Sequence, residues 1–187
     1  VTAGFTALDA TTGLALEWGV HANGAVRTIV LEENRLYLGG GFTQVGPETG
    51  SCAAIDAESG LLMTGLPKVR GSVSTIAADD VGGWYIGGTF TRVGAYERAN
   101  LAHINSDMTV SAWNPSADGT VSAILPHVGT VYVGGSFSSV GGETRNCLAA
   151  LDAITGAATS WDPFASGSVV TLAIADETLY AGGSFTS

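Results

Sequence analysis

Short apolar runs separated by glycine and polar residues fill the chain from end to end. Between residues 120 and 161 the runs are TVSAIL (Thr120–Leu125), TVYVGGSF (Thr130–Phe137), CLAALDA (Cys147–Ala153) and AATSW (Ala157–Trp161). Each is five to eight residues long and rich in β-branched, aromatic or other apolar residues. Gly, Asp, Asn, Pro and Ser lie between them. These are strand and hairpin signals. No window of about 12 residues carries a helical stripe, so almost no helix is expected.

The pattern repeats. YLGGGFT (Tyr37–Thr43), YIGGTFT (Tyr85–Thr91), YVGGSFS (Tyr132–Ser138) and YAGGSFT (Tyr180–Thr186) place Phe42, Phe90, Phe137 and Phe185 at steps of 48, 47 and 48. In the same phase run Asp9, Asp56 and Asp152, each in a motif of the ALDATTG type, and Asn105, whose copy reads HINSDMT and lacks the glycine. Trp18, Trp113 and Trp161 form a third marker, with Gly65 in the second copy. Six residues later comes a glycine each time: Gly24, Gly71, Gly119 and Gly167.

Four antiparallel strands repeated about every 48 residues predict the blades of an all-β β-propeller. A lone four-stranded sheet cannot cover both apolar faces, whereas stacked blades can. The units fall at about 1–24 (half), 25–71, 72–119, 120–167 and 168–187 (half), in a single propeller domain or propeller segment. Each marker has a local physical reason. The aspartates sit at strand ends, where a carboxylate accepts from backbone N–H groups two residues on. Gly156 and its equivalents supply the positive φ that a short hairpin needs. The glycine pairs Gly40 and Gly41, Gly87 and Gly88, Gly134 and Gly135, and Gly182 and Gly183 permit a bulge or close backbone approach. The phenylalanine beyond each pair fills the space they leave. Trp18, Trp113 and Trp161 are expected to bury their rings between outer strands, and Trp84 to lie in the core.

The chain opens before the third strand of one unit and stops after the second strand of another. Strands near Val169–Phe185 could therefore pair with those near Phe5–Trp18, closing a four-blade ring and removing exposed edges. The alternative is a stretch of a larger propeller, whose further blades belong to the same parent chain.

Glycine contributes 27 of 187 residues, roughly twice ordinary usage. With no three-residue period this excludes collagen, and it follows from blade geometry. The 45% apolar content argues against disorder. No apolar run approaches the length needed to span a bilayer as a helix, so membrane insertion is not expected. The net charge is −10, and seven basic residues spread singly along the sequence argue against nucleic acid as a partner. Cys52 and Cys147 begin third strands two units apart, too far for a disulfide, so two free thiols are expected.

Catalysis needs different groups in one pocket, so residues that break the repeat are the better candidates: His21, Lys68, Arg70, His103, Asp118 and His127. His21, Lys68, Arg70 and Asp118 fall in loops joining one blade to the next, and Arg27 begins an inner strand. Together these five could form a polar binding site at the channel mouth. His103 replaces a small residue within a strand and reads as a packed histidine. No spacing matches a metal site, a nucleophile elbow or a phosphate loop; no catalytic residue, cofactor or metal is expected.

The consensus LYVGGSFTSVGG…LAALDAxTG…W resembles the delta-60-like propeller repeats of large bacterial secreted and surface proteins, over essentially the whole chain. The resemblance implies an extracellular or cell-surface scaffold and interaction module, with protein or glycan partners and no shared catalytic residue. The single lysine and acidic balance lean the same way. The alternative is a carbohydrate-active hydrolase or lyase with a site on the propeller face, built from His21, Lys68, Arg70 and Asp118. The second unit departs most from the consensus, with TGLPKVRG (Thr64–Gly71) where the others carry tryptophan.

Overall fold

The computed structural model describes residues 5–16, 18–46 and 49–186. Among them are fourteen strands, all paired antiparallel, and no helix. The first blade is β1 (Val26–Glu32), β2 (Arg35–Gly40) and β3 (Cys52–Asp56), in that spatial order. The second is β4 (Val69–Ala78) and β5 (Trp84–Val93), with β6 (Tyr96–Glu97) and β7 (Leu101–Ile104) both on the far side of β5. The third is β8 (Thr120–His127), β9 (Thr130–Ser136) and β12 (Leu148–Asp152). Its β9–β12 connection carries a small hairpin of β10 (Ser139–Val140) and β11 (Glu143–Thr144). A fourth, two-stranded sheet is β13 (Val169–Ala175) and β14 (Thr178–Gly183). The first strands pack side by side in the order β1, β4, β8, β13, so the blades stand in an arc.

The fourth strand expected in each blade is reduced to a single bridge: Leu62 to Ile55, Val110 to Ile104 and Ala158 to Leu151. The chain turns away to the next blade within a few residues, which leaves too little length for a ladder.

The glycine pair works across blades. Each first strand has a bulge opposite its glycines, at Val26/Thr28, Val73/Thr75, Val121/Ala123 and Val169/Thr171. A Cβ on Gly87 would meet Val121 and Ile124 of the next blade at 2.7 and 2.9 Å. A Cβ on Gly39 would meet Val73 at 2.5 Å, and one on Gly134 would meet Val169 at 2.6 Å. The missing side chain is therefore a socket, and a valine of the following blade is its plug. In the first blade the pair is Gly39 and Gly40, not Gly40 and Gly41: Gly39 faces Thr28 and Gly40 faces Val26, as Gly87 faces Thr75 and Gly88 faces Val73. Three successive glycines hid that frame. Gly41 stands where Thr89 stands in the second blade.

A second contact ties blade to blade at the outer edge. The Trp113 indole donates to the Asp152 carbonyl at 3.0 Å and packs beside Gly156, whose φ is +77°. Trp18 packs on Gly60 in the same way. Where Gly65 replaces the tryptophan, the turn glycine of the next blade is also gone, and Met108 takes its positive φ. Met63, Leu66 and Met108 instead pack against the core there. Trp161 does not bury its ring as expected. It is 37% exposed, against 3% for Trp113, and meets only the edge of Tyr132 at 5.4 Å. Among the described residues the following sheet, β13–β14, has no third strand and turn to cover it.

The core lies between blades. Tyr37 and the fully buried Trp84 stack at 4.2 Å across the first interface. Tyr85 and Trp113, both of the second blade, meet at 5.0 Å and pack into the core shared with the third. Phe42, Phe90 and Phe137 are buried as expected. Residues 5–16 turn back through a Leu8–Ala15 bridge, and Phe5 and Trp18 pack against the first blade. They stand where the outer strands of a preceding blade belong. Among the described residues no strand pairs with the free edge of β14.

Candidate functional site

The second blade is the exception in the repeat. β4 and β5 run ten residues each, where their counterparts run six to eight. The extension puts Arg70 directly opposite Arg92 in the ladder, with Glu97 of β6 beyond Arg92. Like charges directly opposite one another repel, and both arginines are exposed. Arg92 is held by the carbonyls of Gly94 and Ala95, at 3.2 and 3.0 Å. A cleft of about 480 Å³ is lined by Thr43, Ser51, Lys68, Arg70 and Arg92. A second, of about 460 Å³, shares Arg70 and Arg92 and adds Glu97, Arg98, Asn114 and Ser116. Four of the chain's seven lysines and arginines thus line two adjoining clefts.

The Arg98 guanidinium donates to the carbonyls of Glu97 and Ser111. Arg145 repeats this in the third blade with Thr144 and Thr159. Arg98 is therefore part of the scaffold as well as of the cleft wall. Ser51 reinforces the floor by donating to the carbonyl oxygens of Phe42 and Gly71.

Of the candidate residues, Lys68 and Arg70 come together. His21 lines separate clefts beside Trp18 and Gln44. Arg27 is the exposed bulge residue of β1. Asp118 accepts from the amides of Ser138 and Ser139 and from the Ser138 hydroxyl. The hydroxyl bond, followed by the amides, lowers its carboxyl to about 2. Asp118 is an ionised loop clamp. His127 ends β8. Arg92 and Arg98 were not singled out from sequence. Arg92 carried a usable signal, because it departs from the Gln44 and Ser139 found at its position in the other units.

His103 is packed, as expected of it, and also partnered. Its Nε2 lies 2.8 Å from the Asp79 carboxylate, and its ring lies 4.4 Å from that of Tyr85. Burial, and then the Asp79 charge, raise the Tyr85 hydroxyl. Burial also raises Glu32, and the Asp79 charge adds to the effect. Asp79 follows β4 nine residues after Arg70, so roughly 25–30 Å of strand separates this pair from the cationic clefts. Among the described residues no three His, Cys, Asp or Glu side chains are arranged to hold a metal ion. Among the described residues no helix is long and apolar enough to cross a membrane.

The two ends of the strands differ in charge. The hairpins joining first to second and third to fourth strands hold Asp9, Glu32, Glu33, Asp56, Glu58, Asp79, Asp80, Asp107, Asp152, Asp176 and Glu177. That end has one basic side chain from the seven, Arg35. The opposite end carries the other six with only Glu97, Asp118, Glu143 and Asp162 among described acids.

The repeated aspartates are structural. Asp9 accepts from the amides of Thr11 and Thr12, and Asp152 from those of Ile154 and Thr155. Asp56 takes Ser59. In the second blade Asn105 yields this role to Asp107, which holds Thr109. Gly13, Gly60 and Gly156 follow with φ of +71°, +69° and +77°.

A family model described as "Domain of unknown function (DUF5122) beta-propeller" matches residues 129–153. No curated protein matches the chain. The computationally designed Ika4 protein, in its crystal structure, is similar to it over 87% of each chain, at 14% identity and a TM-score of 0.59. The designed Ika8 protein is similar over 94% of this chain and 60% of its own, at 15% identity and a TM-score of 0.51. With the in-phase repeats and the antiparallel blades, the family match makes this an all-β chain of β-propeller repeats.

Proposed function

We propose that the chain is an extracellular scaffold and interaction module, built on delta-60-like repeats of bacterial secreted and surface proteins, and that it holds carboxylate groups of a protein or glycan partner. The observation that carries this reading is the opposed Arg70–Arg92 pair, set with Lys68 and Arg98 around adjoining clefts. A planar guanidinium presents a fork that matches a carboxylate, and an anion between the two relieves their repulsion. Clefts of this size fit a sugar residue or one or two side chains. The acidic hairpins at the far end turn an anionic partner toward the cationic loops. A rigid arc that displays loops needs no catalytic group, and neither His21 nor Asp118 shares these clefts with Lys68 and Arg70.

The test is calorimetric titration with an oligouronate and with an acidic peptide. One of them should bind, and the double variant R70E/R92E should lose at least tenfold in affinity. Unchanged binding by R70E/R92E, or no binding of either ligand, would sink the proposal. Neutral sugars serve as the control.

A further inference from the structure

The second blade has given up a clamp that the others keep. At the position before the in-phase glycine, Asn23 accepts from the amides of Thr43 and Gln44. Asp118 accepts from those of Ser138 and Ser139, and Ser166 from that of Thr186. Arg70 holds this position in the second blade, and a guanidinium has no acceptor. The far side has changed with it, because Arg92 stands where Gln44 and Ser139 stand. Ladder pairs of Val69 with Val93 and Arg70 with Arg92 close the loop instead. Among the described residues the Arg70 guanidinium makes no hydrogen bond or ion pair. Arg92 reaches its two carbonyls through Nε and Nη2, which leaves Nη1 for a ligand. A pair that forfeits a clamp and opposes like charges returns nothing to the fold, which marks a functional position.

The two clefts that share this pair differ in charge. The first adds Lys68 and, among the described residues, no acid. The second adds the exposed carboxylate of Glu97. Its further cation, Arg98, has Nη1 and Nη2 turned to the carbonyls of Glu97 and Ser111. The first cleft therefore suits an anionic unit, and the second a neutral one that offers hydroxyls to Glu97. Hydroxyls and an amide also line the walls: Thr43 and Ser51 in the first cleft, Thr91, Ser116 and Asn114 in the second.

A peptide finds less here. Protein partners anchor most strongly through aromatic side chains in desolvated pockets, and extended peptides through an open strand edge. Val69 and Ala99 are the apolar side chains that line the clefts among the described residues. β5 is paired on both edges, with β4 and with β6. On β4 the carbonyls of Val69 and Gly71 already accept from the Ser51 amide and hydroxyl.

On the carboxylate-holding reading above, we propose that the partner is a glycan and that the site takes two adjacent sugars of it, a uronic acid and a neutral hexose. The uronate carboxylate lies between Arg70 and Arg92 in the first cleft. The hexose lies in the second, its hydroxyls donating to Glu97.

Calorimetric titration of the 187-residue chain tests this with glucuronic acid, glucuronosyl-glucose disaccharides of differing linkage, a diuronate, cellobiose and an acidic peptide. At least one glucuronosyl-glucose should bind tenfold or more tighter than glucuronic acid, and cellobiose should not bind. Glu97→Gln, on an exposed side chain, should remove that advantage while strengthening diuronate binding at least threefold. R70E/R92E should lose every acidic ligand, with an unchanged circular dichroism spectrum. Equal affinity for glucuronic acid and all the disaccharides, still lost in R70E/R92E, would overturn the two-sugar site and leave the carboxylate reading standing. An acidic peptide that binds tighter than every uronide would overturn it in favour of a protein partner. Binding that R70E/R92E does not change would overturn both.

Discussion

Cys147 holds a backbone conformation that suits it poorly, with φ at +61°. Its counterpart Asn100, at +64°, accepts from the Phe90 amide and donates to the Ala117 carbonyl. Asparagine tolerates the left-handed region because its short side chain bonds locally. Phe137 and Ala165 offer Cys147 the same amide and carbonyl, so Cys147→Asn should stabilise the fold by about 1 kcal/mol. A melting temperature raised by about 2–4 °C would show it. Asp118 makes a prediction with a sign. Its folded pKa, about 2, lies below the ordinary value of 3.8. Its contribution is therefore complete above pH 4 and lost as pH falls toward 2. Asp118→Asn should flatten the acid limb of a stability-versus-pH curve measured by urea unfolding. Residue roles of this kind were legible wherever they are local. The Asp9, Asp56 and Asp152 turns close within three residues, so sequence spacing alone exposes them. The Arg70–Arg92 pair depends on strand register across 22 positions, and no local pattern carries it.

At the level of strands and blades, the socket decides which glycines are indispensable. Gly87→Ala pushes a methyl against Val121, Ile124 and Thr75 at once, and should cost about 1–3 kcal/mol. Gly182→Ala meets one Thr171 methyl group and should cost less than half as much. Thermal melts of the two variants side by side make the comparison. Trp113→Ala removes the ring and the indole bond to Asp152 together, and should cost about 3–5 kcal/mol. First, second and third strands were readable from their apolar runs, which are buried along most of their length in β2, β3, β9 and β12. The fourth was over-read: AATSW looks like a strand, but a single bridge at Ala158 is all that forms before the chain leaves for the next blade. The frame of Gly39, Gly40 and Gly41 was ambiguous in sequence because three identical residues carry no phase. Only the pairing of Gly39 with Thr28 resolves it.

Across the whole molecule, acids gather in the hairpins at one end and cations in the loops at the other. Binding of an anionic partner should therefore weaken steeply with added salt, by tenfold or more between about 50 and 500 mM, because surface charges are screened beyond about 10 Å at 0.1 M. R70E/R92E should flatten that dependence as well as lower the affinity. The architecture was legible because its evidence is multiplied by the repeat, whereas the cationic clefts occur once, in the blade that departs furthest from consensus. A valine plug and a tryptophan rest tie each blade only to its neighbour, which makes the arc behave as a short one-dimensional lattice. Its stability then depends on position. Amide hydrogens of β5 and β9, flanked by blades on both sides, should exchange most slowly. Those of β13 and β14, held from one side in this arc, should exchange fastest.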